Sequence, residues 1–304
     1  MKKLILGVVA LLIIIAGAYW FLNNKTAEAP AQVAEETMPE APANVEPEAP
    51  AVVEDEMPAE SVIGSSVEDR DIVAYHYGTG DKELLFIGGI HGGYEWNTAL
   101  VAFEAKAYFD AHPDAVPEGY RVTVIPVLNP DGLYKVAGTD GLFAAADIKA
   151  TLTESIPGRY NAQNVDLNRN FDCDWQAQGV WQNTKVSGGA EAFSEPESQA
   201  IRDYVASRDI AGAVVWYSAA GGVFASNCHD GVSAETQALT DLYAQASGYK
   251  AYQDFNFYEI TGDMVNWFAK QNIPAISVLL TNHTDTEWSK NQKGIEAFLA
   301  HFAE

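Results

Sequence analysis

Residues 61–304 predict an α/β fold, a single domain with a mostly parallel mixed sheet covered by helices on both faces. Three observations carry this. Apolar runs of strand length alternate with longer amphipathic stretches of helical period. The runs are short and mainly apolar, as strands covered on both faces read. The length also suits one large domain with a sizeable core.

The elements follow in order. "ELLFIGGI" (83–90) reads as a buried strand. "EWNTALVAFEAKAYFDAH" (95–112) follows as a helix with Leu100, Phe103, Ala107 and Tyr108 on one stripe. "YRVTVIPVL" (120–128) is strand-like and stops at "NPDG", a turn signal. "SEPESQAIRDYVAS" opens with Ser194 as N-cap, Pro196 near the first turn and Glu197 at the capping-box position. "AGAVVWYS" (211–218) is a strand, "SAETQALTDLYAQAS" (233–247) and "GDMVNWFAKQ" (262–271) are helices, "IPAISVLLT" (273–281) is a strand, and "EWSKNQKGIEAFLAHFA" closes as a helix. His91, Asn129, Tyr217 and Thr281 fall at strand carboxyl ends, where ligands sit in such sheets.

Before this domain the chain changes character twice. Residues 4–22, "LILGVVALLIIIAGAYWFL", are 19 residues without a charge, enough to span a bilayer core as a helix. Lys2 and Lys3 precede the run, which places the N-terminus in the cytoplasm. A cleaved signal peptide is the competing reading, but its apolar core is shorter, about 7–15 residues. The run ends in Tyr19, Trp20 and Phe21, an interfacial signature that favours an uncleaved anchor over residues 1–25. Residues 26–60 hold six prolines, ten acidic residues and no basic one, which predicts a disordered, extended Ala/Pro/Glu linker. The expectation is a single-pass protein of the cell membrane with its globular domain extracytoplasmic.

The net charge is −24. An acidic domain repels phosphate backbones, which argues against nucleic acid as a partner. Cys173 and Cys228 stand alone, so a disulfide is permitted outside the membrane and not required.

Four stretches carry chemistry, in order: "GGIHGGYEW", "NPDG", "GRYNAQNVDLNRNFD" and "YEITGDMVNW". Together they resemble the zinc carboxypeptidases, the carboxypeptidase A family, over most of 66–300, with "DLNRNF" after "NPDG" the most specific part. The resemblance implies one zinc ion, held by a near histidine and glutamate and a distant histidine, with an open position that polarises a water. His91 and Glu95 match the near pair, with three residues between them where the family has two. Asp166 matches the aspartate that orients the histidine through its other ring nitrogen. Asn168 and Arg169 match the pair that grips the substrate's terminal carboxylate. Arg159 matches the arginine that polarises the scissile carbonyl, and Tyr258 the mobile tyrosine that closes over the substrate.

Two positions depart from the family. Tyr217, in "VVWYSAAGG", stands where the distant histidine belongs, and is left as the third zinc ligand. It could ligate only as a phenolate, from an ordinary pKa near 10. The general-base glutamate falls on Leu279 in "VLL", or on Leu280 if no gap is allowed from Trp267, and neither is a carboxylate. A positioned acid–base group contributes roughly 10²–10⁴ in rate. The expectation is a domain that recognises peptide C-termini, a candidate pseudoenzyme, with a peptide or cell-wall peptide bearing a free carboxylate as partner. The alternative is an active metallocarboxypeptidase with an altered zinc site, in which His229, His283, Glu259 or Asp263 substitutes for a missing group.

Overall fold

The computed structural model describes residues 59–303; the expected anchor and nearly all of the expected linker lie outside them. The described strands are β1 (Glu60–Ser65), β2 (Asp71–Tyr77), β3 (Lys82–Ile87), β4 (Tyr120–Ile125), β5 (Gln178–Trp181), β6 (Thr184–Ser187), β7 (Asp209–Ser218), β8 (Gly222–Ala225), β9 (Lys250–Tyr252) and β10 (Ala275–Leu280). The helices are α1 (Trp96–Ala111), α2 (Pro130–Ala137), α3 (Leu152–Ser155), α4 (Pro196–Ala206), α5 (Ala234–Ser247), α6 (Met264–Lys270) and α7 (Trp288–Phe302).

Eight strands form one mixed sheet in the order β1-β2-β4-β3-β7-β10-β8-β9, and β5 and β6 form a separate hairpin. The centre, β4-β3-β7-β10, is parallel. The antiparallel pairs are β1-β2, β2-β4 and β10-β8. This is the mixed, mostly parallel sheet that the sequence predicts. The strands the apolar runs point to are its four central ones; the outer strands are half-exposed or short and carry weaker signals.

Both faces of the centre are buried, which is why its strands are mostly apolar, with Glu83, Thr123 and Ser277 as buried polar exceptions. Along β7, Ala213, Val215 and Tyr217 join one core cluster, while Val214 and Trp216 join the other. The first cluster packs under α4 and α6 through Ile201, Tyr204, Met264 and Phe268. The second packs under α1, α5 and α7 through Phe109, Tyr243 and Phe298.

Three local expectations are corrected. "NPDG" does not simply end a strand. Asn129 caps α2, accepting a bond from Gly132 N at 2.8 Å, and Pro130 takes the first helical position, where its missing N–H costs nothing. Ser194 does not cap α4. Glu195 holds the cap position, and the Ser194 hydroxyl donates to Glu195 Oε1 at 2.7 Å. The buried stripe of α1 runs through Val101, Ala102, Ala105 and Phe109, with Ala107 exposed. The first two turns of α1 are buried on every side, between the sheet and a third cluster of Trp96, Ala99, Leu100 and Phe143. A one-sided stripe therefore misreads them.

Candidate active site

A cavity of about 530 Å³ opens beyond the carboxyl ends of β7 and β10. His91, Glu95, Arg159, Asn168, Arg169, Tyr217, Tyr258 and Leu279 all line it. Asp166 is fully buried behind them.

The near pair is built by one tight turn after β3. Tyr94 N and Glu95 N both donate to His91 O, at 2.9 and 3.3 Å, so Glu95 sits one helical turn beyond His91. That spacing brings His91 Nδ1 to 3.0 Å from Glu95 Oε1. The three-residue separation thus still lets the two side chains converge. Gly92 makes the turn possible: its φ is +36°, and a Cβ there would lie 2.7 Å from Asn129 O. The other carboxylate oxygen of Glu95 accepts from Ser218 N at 3.0 Å, which ties α1 to the end of β7.

His91 Nε2 lies 3.2 Å from Asp166 Oδ1. The other oxygen of Asp166 accepts from Arg159 Nε at 3.0 Å and Nη2 at 2.8 Å. Arg159 Nη1 then returns to the pair, 3.2 Å from His91 Nδ1 and 3.6 Å from Glu95 Oε1. Burial opposes the charge on Asp166, but Arg159 and His91 outweigh it and hold its carboxyl well below the usual range. Burial likewise opposes the charge on Glu95; His91 and then Arg159 outweigh it and lower that carboxyl too. The Arg159 guanidinium is stacked 4.5 Å from the ring of Trp181, on the β5–β6 hairpin.

The second arginine is just as buried. Arg169 is 1% exposed, with Nε and Nη2 donating to Val180 O at 3.2 and 2.8 Å and Nη1 to Asn168 O at 2.7 Å. Tyr258 lies over it, ring centroid 5.9 Å from the guanidinium. Asn168 is engaged inside the protein: its Nδ2 donates to Asp263 Oδ2 at 2.7 Å, and its Oδ1 accepts from Tyr217 Oη at 3.2 Å and Met264 N at 3.1 Å. Burial raises the Asp263 carboxyl, against the hydrogen bonds from Asn266 N and Asn168.

Tyr217 and Leu279 are direct partners in the parallel β7–β10 register. Both point into the cavity side of the sheet, whereas Leu280 belongs to the opposite core. Leu279, not Leu280, therefore faces the position where a general base would work. Burial, then the charges of Asp263 and Glu95, push the Tyr217 phenol well above its ordinary range.

The sequence matches the zinc carboxypeptidase family over residues 51–298. The chain belongs to the zinc carboxypeptidase family. It is 30% identical over 149 residues to bacteriocin BCN5 of Clostridium perfringens, covering 47% of this chain and 15% of that one. It is 34% identical over 122 residues to carboxypeptidase Z of Rattus norvegicus, covering 36% of this chain and 17% of that one. The chain thus spans less than a fifth of either relative's length. The fold is shared with murein-tripeptide amidase MpaA from Escherichia coli O157, at a TM-score of 0.55 and 18% identity, over 82% of this chain and 93% of that one.

Membership implies a zinc cofactor, and the residues present can be tested against it. His91 Nδ1 and Glu95 Oε1 are two buried, converging donors. Tyr217 at the third position is a neutral phenol that spends its proton on Asn168. Among the described residues no group of three His, Cys, Asp or Glu side chains has the geometry to hold a metal ion. As they stand, these donors do not complete the family's three-donor site.

The substitutes fare differently. His229 is on the surface, paired with Asp174 at 3.0 Å, and Glu259 is exposed. His283 and Asp263 both line the cavity. His283 Nδ1 is buried without a hydrogen-bond partner, and its ring packs on Tyr94. Sequence reasoning missed Tyr94, Trp181, Phe224, Phe255 and Phe257, which with Tyr217 and Tyr258 make the aromatic part of the cavity wall. Trp181 lies in a polar stretch whose only signal is the hairpin it folds into.

Proposed function

We propose that this domain recognises the free C-terminal carboxylate of a peptide without performing the family's hydrolysis. The observation that carries it is the β7–β10 register. It sets Tyr217 beside Leu279 on the cavity wall, at the two positions where the family's distant metal ligand and general base are expected. An apolar side chain there can neither hold nor deprotonate an attacking water. Meanwhile a cation remains for the carboxylate. Of the five N–H groups of Arg169, three are spent on backbone carbonyls. One hydrogen is left on each terminal nitrogen, the pair that a carboxylate takes. Arg159 contributes a second positive charge to the cavity, and Tyr258 lies beside Arg169, where it would flank a bound carboxylate.

The display we propose is outside the cell, on the anchor of residues 1–25 and the linker of 26–60. The Cys173–Cys228 disulfide, with Cα atoms 6.1 Å apart, suits an oxidising compartment and supports that placement. A peptide or cell-wall peptide with a free carboxylate is the ligand class in reach there.

The second reading is an active carboxypeptidase with an altered site. The retained His91–Glu95–Asp166 geometry favours it. Incubating the full chain with a mixed peptide library, with and without added zinc, separates the two. Peptides recovered at unchanged mass support recognition alone. Zinc-dependent loss of C-terminal residues, abolished by His91→Ala, would replace it with the second reading.

A further inference from the structure

We infer that a peptide held by its C-terminal carboxylate runs past His283 into a second, apolar cavity and places one large apolar side chain there. This rests on the proposed recognition of peptide C-termini and deepens it, because it names what the rest of the ligand must carry.

The second cavity holds about 420 Å³, with Trp96, Ala146, Ile148, Ala150 and Leu152 on its wall. Continuity decides its occupant. His283 lines this cavity and the carboxylate cavity alike, so the two adjoin. Tyr94 stands between them, its ring 4.8 Å from the His283 ring and 6.0 Å from the Arg159 guanidinium. An extended chain advances about 3.3 Å per residue, so each of those intervals is roughly one to two residues. A peptide anchored on Arg169 has the rest of its chain to place, and this groove is the apolar surface next along. Its chemistry sets the side chain. Among the described residues no Asp, Glu, Lys or Arg lines it, in a chain of net charge −24. Burial lowers the His283 pKa, so its ring is uncharged at neutral pH. The Ser155 hydroxyl on the wall is already spent on Leu152 O, at 2.8 Å. The groove is also held in shape from within the protein. Thr151 and Glu154 form a capping box around Leu152: Thr151 N donates to Glu154 Oε2 at 2.8 Å, and Glu154 N to Thr151 Oγ1 at 3.4 Å. Asn97 Nδ2 donates to Asn282 O at 2.8 Å and to Asp285 O at 3.0 Å, which ties the His283 loop to α1. A groove formed in advance spends little of its binding energy on ordering itself.

The experiment is calorimetry of the full chain with short glycine–serine peptides that share an acetylated N-terminus, a C-terminal leucine and a free carboxylate. Phenylalanine is placed in turn at each upstream position, and each peptide is also made amidated. Against the peptide without phenylalanine, binding should tighten on the order of 10-fold at one or two adjacent positions, about two to four residues from the end, and not elsewhere. Leu152 is 49% exposed on the rim, so Leu152→Asp puts a charge on the groove without entering the core. It should remove the phenylalanine preference and leave the ratio between free and amidated peptides unchanged. Ala146→Glu charges the same wall from an exposed turn; it should act alike, and it decides the matter if Leu152→Asp does not fold. Arg169→Ala should weaken all the free peptides and keep their order. No gain from phenylalanine at any position would overturn the inference, and so would the same gain at every position, which would mean an apolar site with no register to the carboxylate. A positional gain that survives both wall variants would overturn it too. Equal binding of free and amidated peptides would instead strike the carboxylate reading, so the two failures are distinguishable.

Discussion

Replacing Asp166 with alanine tests how the centre is held together. Asp166 is fully buried and accepts from Arg159 twice, from Asn168 N, and stands 3.2 Å from His91 Nε2. Asp166→Ala removes the counter-charge of a guanidinium that is 2% exposed and cannot deprotonate. Glu95, 3.6 Å away, is the nearest remaining carboxylate and is shared with His91. Breaking a buried pair by removing one partner costs about 3–5 kcal/mol. For a domain of this size each kcal/mol moves Tm by about 2–4 °C, so the midpoint should fall by roughly 6–20 °C. Urea unfolding should show the same loss as a lower midpoint at unchanged slope. The double variant Asp166→Ala/Arg159→Met orphans no guanidinium and should cost no more than Asp166→Ala alone, so the two single effects should not add. A loss under about 1 kcal/mol for Asp166→Ala, or simple additivity, would refute the view that this carboxylate holds Arg159 in place.

Three further outcomes follow from other parts of the molecule. Burial pushes the Glu197 carboxyl up to about 7. A carboxyl raised in the folded state adds stability that is complete below its unfolded pKa and lost as pH rises through about 7, by at most about 3 kcal/mol. His76, lowered by burial to about 4, works in the opposite sense below its unfolded value. The clean measurement is therefore the difference between the native chain and Glu197→Gln from pH 5 to 8, where the native chain should lose stability relative to the variant as pH rises to about 7 and level off above it. The Cys173–Cys228 bridge closes a separation of 55 residues, so Cys173→Ser/Cys228→Ser should lose about 2–4 kcal/mol in urea unfolding. Gly262 has φ +64°, and a Cβ there would lie 2.2 Å from Arg169 O. Gly262→Ala should therefore shift Arg169, costing more than about 1 kcal/mol of stability and weakening carboxylate binding, read by calorimetry.

The sheet's centre was legible because its strands are buried on two faces and carry few polar positions to break the run. The outer strands were not. β8 and β9 are four and three residues long, and β1 alternates weakly because half of it meets water. Motif order brought His91, Glu95, Arg159, Asn168, Arg169, Tyr217, Tyr258 and Leu279 to one cavity in advance. The choice between Leu279 and Leu280 needed the register, since one residue of slip turns a side chain to the other face. The contact between Arg159 and the His91–Glu95 pair was out of reach of motif spacing. It depends on where the segment of 138–195, which has little regular structure, folds back over the sheet.

The most direct test of the central claim is the affinity of the full chain for a fluorescent peptide with a free C-terminus, beside the same peptide amidated. A charge-assisted bond to the carboxylate is worth about 1.5–3 kcal/mol, so amidation should weaken binding roughly 10–100-fold. Arg169→Ala should erase that difference while the peptide's mass stays unchanged. Equal affinities for the two peptides in the native chain would contradict the account.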